Sequence, residues 1–188
     1  EIYEKAKWLF TYRFAELAKE RGIGGSVAEA GVFQGNFSKE INKAFPDRNL
    51  YLFDTFESFD ERDLLIEQAH GFSNRKSDFF NNTSVETVLS KLPHRSKAIV
   101  KQGYFPDTFD LKDERFCFVN LDMDLYKPTK DGLRLFWPLM ERGGVILVHD
   151  YFSDDFKGAK QAFDEFCAEN DLFGFPIGDD FTMALIKQ

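Results

Sequence analysis

The residues that can do chemistry in this chain of 188 residues stand where apolar runs end. Phe116 to Leu121 is followed by Asp122-Met123-Asp124, and Val145 to Val148 by His149-Asp150. Val27 to Ala30 contains Glu29 and hands over to Gly31, and Leu50 to Phe53 is closed by Asp54. A lone loop acid is usually just solvated. Acids that close successive apolar strands are a candidate site, because open α/β sheets bind ligands outside the carboxyl ends of their strands. Asp122 with Asp150, with or without His149, can offer oxygen and nitrogen ligands to one divalent cation. Carboxylates with water left over suit Mg²⁺; a histidine in the shell shifts the choice toward Mn²⁺ or another transition metal. The plain alternatives are helix capping and loop solvation for Asp122 and Asp124, and a hydrogen-bonded strand-end role for His149. His70 and His94 lie in polar loop contexts and receive no role, and no Ser-His-Asp arrangement or zinc-type cysteine spacing is present.

The stretch from Val27 to Asp54 reads as strand, glycine turn, helix, strand, acid, the layout of a nucleotide-binding βαβ unit. Gly31 and Gly35 can let the backbone come close to a ligand, having no Cβ. Asp54 at a strand end can accept both hydroxyl hydrogens of a ribose. The spacing E-x-G-x-x-x-G differs from the dinucleotide fingerprint G-x-G-x-x-G. A carboxylate at Glu29 repels a diphosphate and attracts an ammonium, so the pattern asks for a nucleoside with a cationic tail, which S-adenosylmethionine provides. The bland alternative is a local cap at Glu29 and glycines that only shape a turn. Gly103, after a third strand, leaves room for a ring or a backbone.

Elements must position these groups. Periodicity predicts an amphipathic helix over residues 3–21 with Trp8, Leu9, Tyr12, Leu17 and Ala18 on one side, ended by Gly22, Gly24 and Gly25. Asn36 is a candidate N-cap for the next helix, which presents Phe37, Ile41, Ala44 and Phe45. Residues 55–82 lack a strand pattern, contain a short helix over 62–69, and read as a lid or substrate-facing insertion or as a surface elaboration. Helices follow over 84–92, from Pro128 with Leu133, Phe136, Trp137 and Met140 inward, and over 157–168 with Ala159, Ala162, Phe163 and Phe166 inward. Pro138 should bend or shorten the second of these. Further strands are expected at 98–100, 116–121 and 145–148, the last after a Gly143-Gly144 turn. A closing pair at 173–177 and 181–186 is joined by so few residues that it must be antiparallel. The expected fold is a single α/β Rossmann-like domain over 1–188, a mostly parallel seven-stranded sheet with helices on both faces and an antiparallel C-terminal pair.

The net charge is -8 with 30% charged residues and no basic cluster, which argues against a nucleic-acid partner. No apolar run approaches the ~20 residues of a membrane span, and the N-terminus resembles neither a signal nor a transit peptide. Cys117 and Cys167 sit in apolar segments and read as buried free thiols, in keeping with a cytoplasmic setting. The apolar face of the first helix can cover the domain or a second subunit of a homo-oligomer.

In order, A-E-A-G-V-F-Q-G, L-Y-L-F-D-T-F-E, G-Y-F-P-D-T, L-D-M-D-L-Y-K-P-T and G-G-V-I-L-V-H-D-Y resemble the macrocin O-methyltransferase (TylF/MycF/NovP-like) family over residues 27–168. That family comprises class I S-adenosylmethionine-dependent enzymes that methylate sugar hydroxyls of glycosides with a divalent metal, usually Mg²⁺. The resemblance implies a glycine-loop role for Glu29, Gly31 and Gly35, and a ribose-binding role for Asp54 with Thr55 and Ser58 nearby. It implies metal ligation by Asp122 and Asp150 and a general-base role for Asp124. Asp-Asp in the family stands where this chain has His149-Asp150, which leaves His149 open as ligand, base or bystander. The resemblance also leads one to expect segments at the N-terminus that help cover the substrate, for which the sequence given reads short. Two other readings are a catechol-type O-methyltransferase, whose pocket the many phenylalanines could line, and a non-catalytic nucleotide-binding scaffold.

Overall fold

The computed structural model describes residues 2–73 and 82–188. The chain runs α1 (Ile2–Glu20), β1 (Ser26–Ala30), α2 (Asn36–Ala44), β2 (Leu50–Asp54), α3 (Glu61–His70), α4 (Val85–Lys91), β3 (Ala98–Gln102), β4 (Phe116–Leu121), α5 (Tyr126–Phe136), β5 (Met140–Val148), α6 (Lys157–Asn170), β6 (Phe175–Pro176) and β7 (Met183–Ile186). The strands form one sheet in the order β3-β2-β1-β4-β5-β7-β6. The first five are parallel, β7 is antiparallel to β5, and β6 is antiparallel to β7. This is the expected α/β architecture.

Every residue of β1 and β4 is buried, because helices cover both faces. On one face α1, α2 and α4 bury Phe14, Ala18, Ile41 and Val88 against Val27, Leu52 and Phe118. On the other, α5 and α6 bury Leu133, Phe136, Phe163 and Phe166 against Ala28, Phe53 and Val119. Each fully buried Phe or Leu contributes ~1.5–3 kcal/mol of transfer free energy. Phe136 is one anchor, with ring centroids 5.0 Å from Phe109, 5.2 Å from Phe116 and 5.8 Å from Phe53.

Several local expectations are corrected. Gly35, at φ 72, occupies the cap of α2, and Asn36 is the first helical residue. Met140 opens β5 instead of closing α5, because Pro138 lacks an N–H and the chain leaves the α-helix at Phe136 through a 3₁₀ turn over Trp137–Leu139. Gly143-Gly144 lies within β5, at an irregularity where Met140 to Val145 faces only Phe116 to Phe118 of β4. The closing strands are shorter than their apolar runs, with only Phe175–Pro176 and Met183–Ile186 paired. Of the insertion at 55–82, α3 is observed, while 74–81 lie outside the described residues. Among the described residues no helix is long and apolar enough to cross a membrane.

The sheet order reverses between β1 and β4, where the chain, having wound outward through β2 and β3, returns to build the other half. Such a switch point leaves a crevice at the carboxyl ends of the strands. There the backbone ladder runs one residue past the strands. Gly31 N donates to Phe53 O, Asp122 N to Ala30 O, His149 N to Leu121 O and Gly103 N to Asp54 O, all at 2.8–2.9 Å. Four loops therefore leave the sheet at one level.

Candidate active site

A cavity of about 360 Å³ occupies this crevice. Glu29, Gly31, Asp54, Thr55, Ser58, Gly103, Asp122, Asp124, His149 and Asp150 all line it. Gly35 does not; its Cα faces the Val88 side chain, where an added Cβ would come within 2.7 Å. Gly31 has a stronger reason to be glycine. It sits at φ 84, and a Cβ there would lie 1.8 Å from the Asp122 carbonyl oxygen. These glycines therefore let chain approach chain, which the ligand-centred reading of the loop did not anticipate.

Asp54 organises the loop. Its Oδ2 accepts from Val32 N at 2.7 Å and Phe33 N at 2.8 Å, and its Oδ1 accepts from Phe56 N at 2.7 Å. Phe33 and Phe56 both adopt positive φ, 49° and 57°, a conformation bulky residues avoid. Thr55 Oγ1 also approaches Oδ1, at 3.5 Å, so the chain engages both carboxylate oxygens. Thr55 Oγ1 donates to Ser58 O at 3.1 Å and shapes the next turn. The loop between β1 and α2 is stitched to α4 and the residues just ahead of it, as Thr83 Oγ1 donates to Phe33 O and Lys91 Nζ donates to Gln34 O at 2.7 Å.

Glu29 is only 2% exposed. Its oxygens accept from Ser38 Oγ and from Asn120 Nδ2, the latter at 3.0 Å. Burial pushes its carboxyl up to about 8. It borders the cavity as a buried, engaged group rather than as a bare anion.

Asp122, His149 and Asp150 converge, each with one ligand atom within 4.8 Å of the others'. His149 Nδ1 lies 3.1 Å from Asp122 Oδ1 and 3.1 Å from Asp150 Oδ2. Neither contact has hydrogen-bond alignment, so Nδ1 and Asp150 Oδ2 are buried polar atoms without a hydrogen bond. Two carboxylates and an imidazole with unsatisfied buried donor atoms fit a divalent cation, with the histidine favouring Mn²⁺-like ions over a purely oxygen-ligated Mg²⁺. Without one, charge pairing takes over. Burial opposes the charge on His149, but Asp122 and then Asp150 outweigh it and raise the imidazole to about 9. Burial likewise opposes the charge on Asp122, but His149 and Lys7 hold it below the usual carboxylate range. Asp124 lies beside them at φ 59, in a turn closed by Leu125 N donating to Met123 O at 2.6 Å. Burial first, then the carboxylates of Asp150 and Asp122, raise Asp124 well above the usual range.

Three contributors escaped the sequence reading. Lys7 of α1, 6% exposed, brings its Nζ to 3.5 Å from Asp122 Oδ2. A signal existed, since Lys7, Thr11, Phe14 and Ala18 form one buried stripe at helical spacing with a cation inside it. Glu67 of α3 accepts from Tyr126 N at the start of α5 and so ties the insertion to the helix that follows Asp124. Asp63, also on α3, accepts from Tyr104 Oη at 2.8 Å. Neither acid differs in sequence from a solvated helix face.

Residues 12–178 match the family model described as macrocin O-methyltransferase (TylF). The O-methyltransferase NovP superposes with a TM-score of 0.76 at 20% identity, covering 97% of this chain and 80% of its own. The calicheamicin methyltransferase CalS11 gives 0.76 at 14% identity, covering 99% and 80%. The O-methyltransferase TomG from Streptomyces achromogenes, in complex with SAM, gives 0.59 at 17% identity, covering 95% and 79%. A search of curated protein sequences returned no match.

Proposed function

The chain belongs to the TylF macrocin O-methyltransferase family, and from that premise we propose that it transfers the methyl group of S-adenosylmethionine to a hydroxyl of a sugar or glycosylated small molecule, assisted by a divalent metal. The observation that carries the proposal is the convergence of Asp122, His149 and Asp150 beside Asp124, in the same cavity as Asp54 and the Gly31 loop. A sugar acceptor is supported by one structural neighbour, described as a TDP-rhamnose 3'-O-methyltransferase.

Methyl transfer from a sulfonium is an in-line displacement, so positioning supplies much of the rate. In this reading Asp54, Thr55, Ser58 and Gly103 would hold the nucleoside, and the Gly31 loop beside Asp122 its amino-acid tail; that all of them line one cavity supports it. A sugar hydroxyl is a weak nucleophile near neutrality. Asp122, His149 and Asp150 would hold the metal, which when bound lowers the pKa of an acceptor hydroxyl. Asp124, whose raised carboxyl makes it a stronger base than an ordinary carboxylate, would take the hydroxyl proton as general base. His149 is a ligand in this arrangement, since both carboxylates face its Nδ1. Phe33, Phe37 and Phe59 add apolar wall to the cavity. The test is methyl transfer from labelled S-adenosylmethionine to glycosides and to catechols, with divalent metal and with chelator.

A further inference from the structure

Lys7 is a buried cation beside the crevice, paired with the lining residue Asp122, and the mechanism leaves it without a task. Burying an ammonium costs several kcal/mol unless it is paired and hydrogen-bonded. Among the described residues its Nζ has one hydrogen-bond partner, Asp122 Oδ2, at 3.5 Å. Charge-assisted bonds of this kind are normally about 2.7–2.9 Å long, and an ammonium has three hydrogens to place. Nζ also lies over the Phe37 ring, 4.3 Å from its centroid. Lys7 is thus held at the site but is incompletely satisfied there.

Its surroundings define what would complete it. Asp122, Phe37 and Glu29 all line the cavity, at the end where β1 and β4 open. That lining includes Asp54, Asp122, Asp124 and Asp150, and among the described residues it contains no lysine or arginine. The methionine tail of S-adenosylmethionine carries an ammonium and a carboxylate together. The acids suit the ammonium and repel the carboxylate, which therefore needs a cation at this end. Phe37 stands in the first turn of α2, whose cap residue Gly35 offers no side-chain hydrogen bond. The uncapped N–H groups of that turn favour an anion in the same place. A lysine on a flexible four-carbon stem can turn from Asp122 toward such an anion without any movement of α1.

We propose that Lys7 is the binding residue for the amino-acid carboxylate of S-adenosylmethionine, wedged between α1 and the first turn of α2. The inference rests on the cofactor reading above. It adds a residue that lies ahead of the family match, which begins at residue 12. It gives α1 a direct part in recognising the cofactor as well as in covering the sheet. Asp122 holds Lys7 in place; with cofactor bound, the carboxylate becomes its main partner.

The experiment is a calorimetric cycle with two ligands and two proteins. The ligands are S-adenosylhomocysteine and its decarboxylated analogue, which keeps the amine. The proteins are the wild type and Lys7→Met, with Lys7→Arg as a charge-preserving control. Wild type should bind S-adenosylhomocysteine at least tenfold more tightly than the analogue, as expected for one charged hydrogen-bonded contact. Lys7→Met should erase that preference while binding the analogue within about threefold of wild type, and Lys7→Arg should restore much of it. Equal losses for both ligands, or an unchanged preference, would overturn the assignment. A wild type without the preference would overturn it with no variant needed, which covers the case of a Lys7→Met protein that does not fold. A wild type that binds neither ligand would instead overturn the cofactor reading itself.

Discussion

Replacing Asp54 by asparagine separates its structural task from any contact with a ligand. In the wild type one carboxylate oxygen serves Val32 and Phe33 and the other serves Phe56. Asparagine can keep its carbonyl toward Val32 and Phe33, but its amide then points N–H groups at the N–H of Phe56. Val32 and Phe56 are each only 5% exposed, so water cannot readily replace the lost acceptor. An unsatisfied buried donor costs ~1–3 kcal/mol, and two charged bonds that become neutral lose ~1 kcal/mol each. The sum is about 3–5 kcal/mol, lowered somewhat as Phe56 relaxes from its strained positive φ. For a chain of this size that corresponds to a fall in Tm of roughly 6–20 °C. Urea denaturation without ligand reads the effect directly, and calorimetry with S-adenosylhomocysteine reads the loss of the loop. A variant within about 0.5 kcal/mol of wild type would refute the reasoning, because surface substitutions without a structural task fall in that range.

Three further outcomes follow from the same geometry. Gly31→Ala sets a methyl group against the Asp122 carbonyl and should cost more than about 4 kcal/mol, visible as loss of soluble folded protein by circular dichroism; a near-normal melt would mean that β1 and β4 part more easily than they pack. Asp124→Asn, a residue type that tolerates positive φ, should abolish methyl transfer while S-adenosylhomocysteine binding stays within about threefold; retained turnover would remove Asp124 as the base. His149 holds its proton more tightly folded than unfolded, at about 9 against 6.5, so its stabilisation is complete below pH 6.5 and is lost as pH rises through 9. The loss has a ceiling of about 3 kcal/mol, and the raised carboxyl of Glu29 adds to the same decline below pH 8. Tm in chelator should therefore fall between pH 6 and 9, and saturating divalent metal should flatten the His149 share; a flat profile in chelator would contradict the pairing.

The strands were legible because parallel strands covered on both faces must be apolar throughout, and because each run stops where the sheet meets the cavity. Leu121-Asp122, Val148-His149 and Phe53-Asp54 mark that edge in the sequence, so the strand-end acids could be listed before any fold was known. Their partners could not. The closeness of Gly31 to Asp122, the hold of Asp54 on three backbone N–H groups, and the reach of Lys7 across from α1 all depend on pairings between distant segments. Nothing local encodes them. Boundaries failed where tertiary pairing outweighs propensity, as at Met140, which continues an apolar helical face yet pairs with Phe116. The closing run at 173–177 is similar, with Phe173 left 90% exposed and only two residues paired.

The central claim is that the carboxyl-end cluster, loaded with a divalent metal, directs a methyl group onto a sugar hydroxyl. The most direct test is methyl transfer from labelled S-adenosylmethionine to a panel of glycosides, in Mg²⁺ or Mn²⁺ and again in chelator. The account predicts product on glycosides that disappears with chelator, returns with metal, and is absent for Asp150→Asn. Transfer that persists in chelator would contradict the metal-held site, and transfer to catechols but to no glycoside would contradict the acceptor.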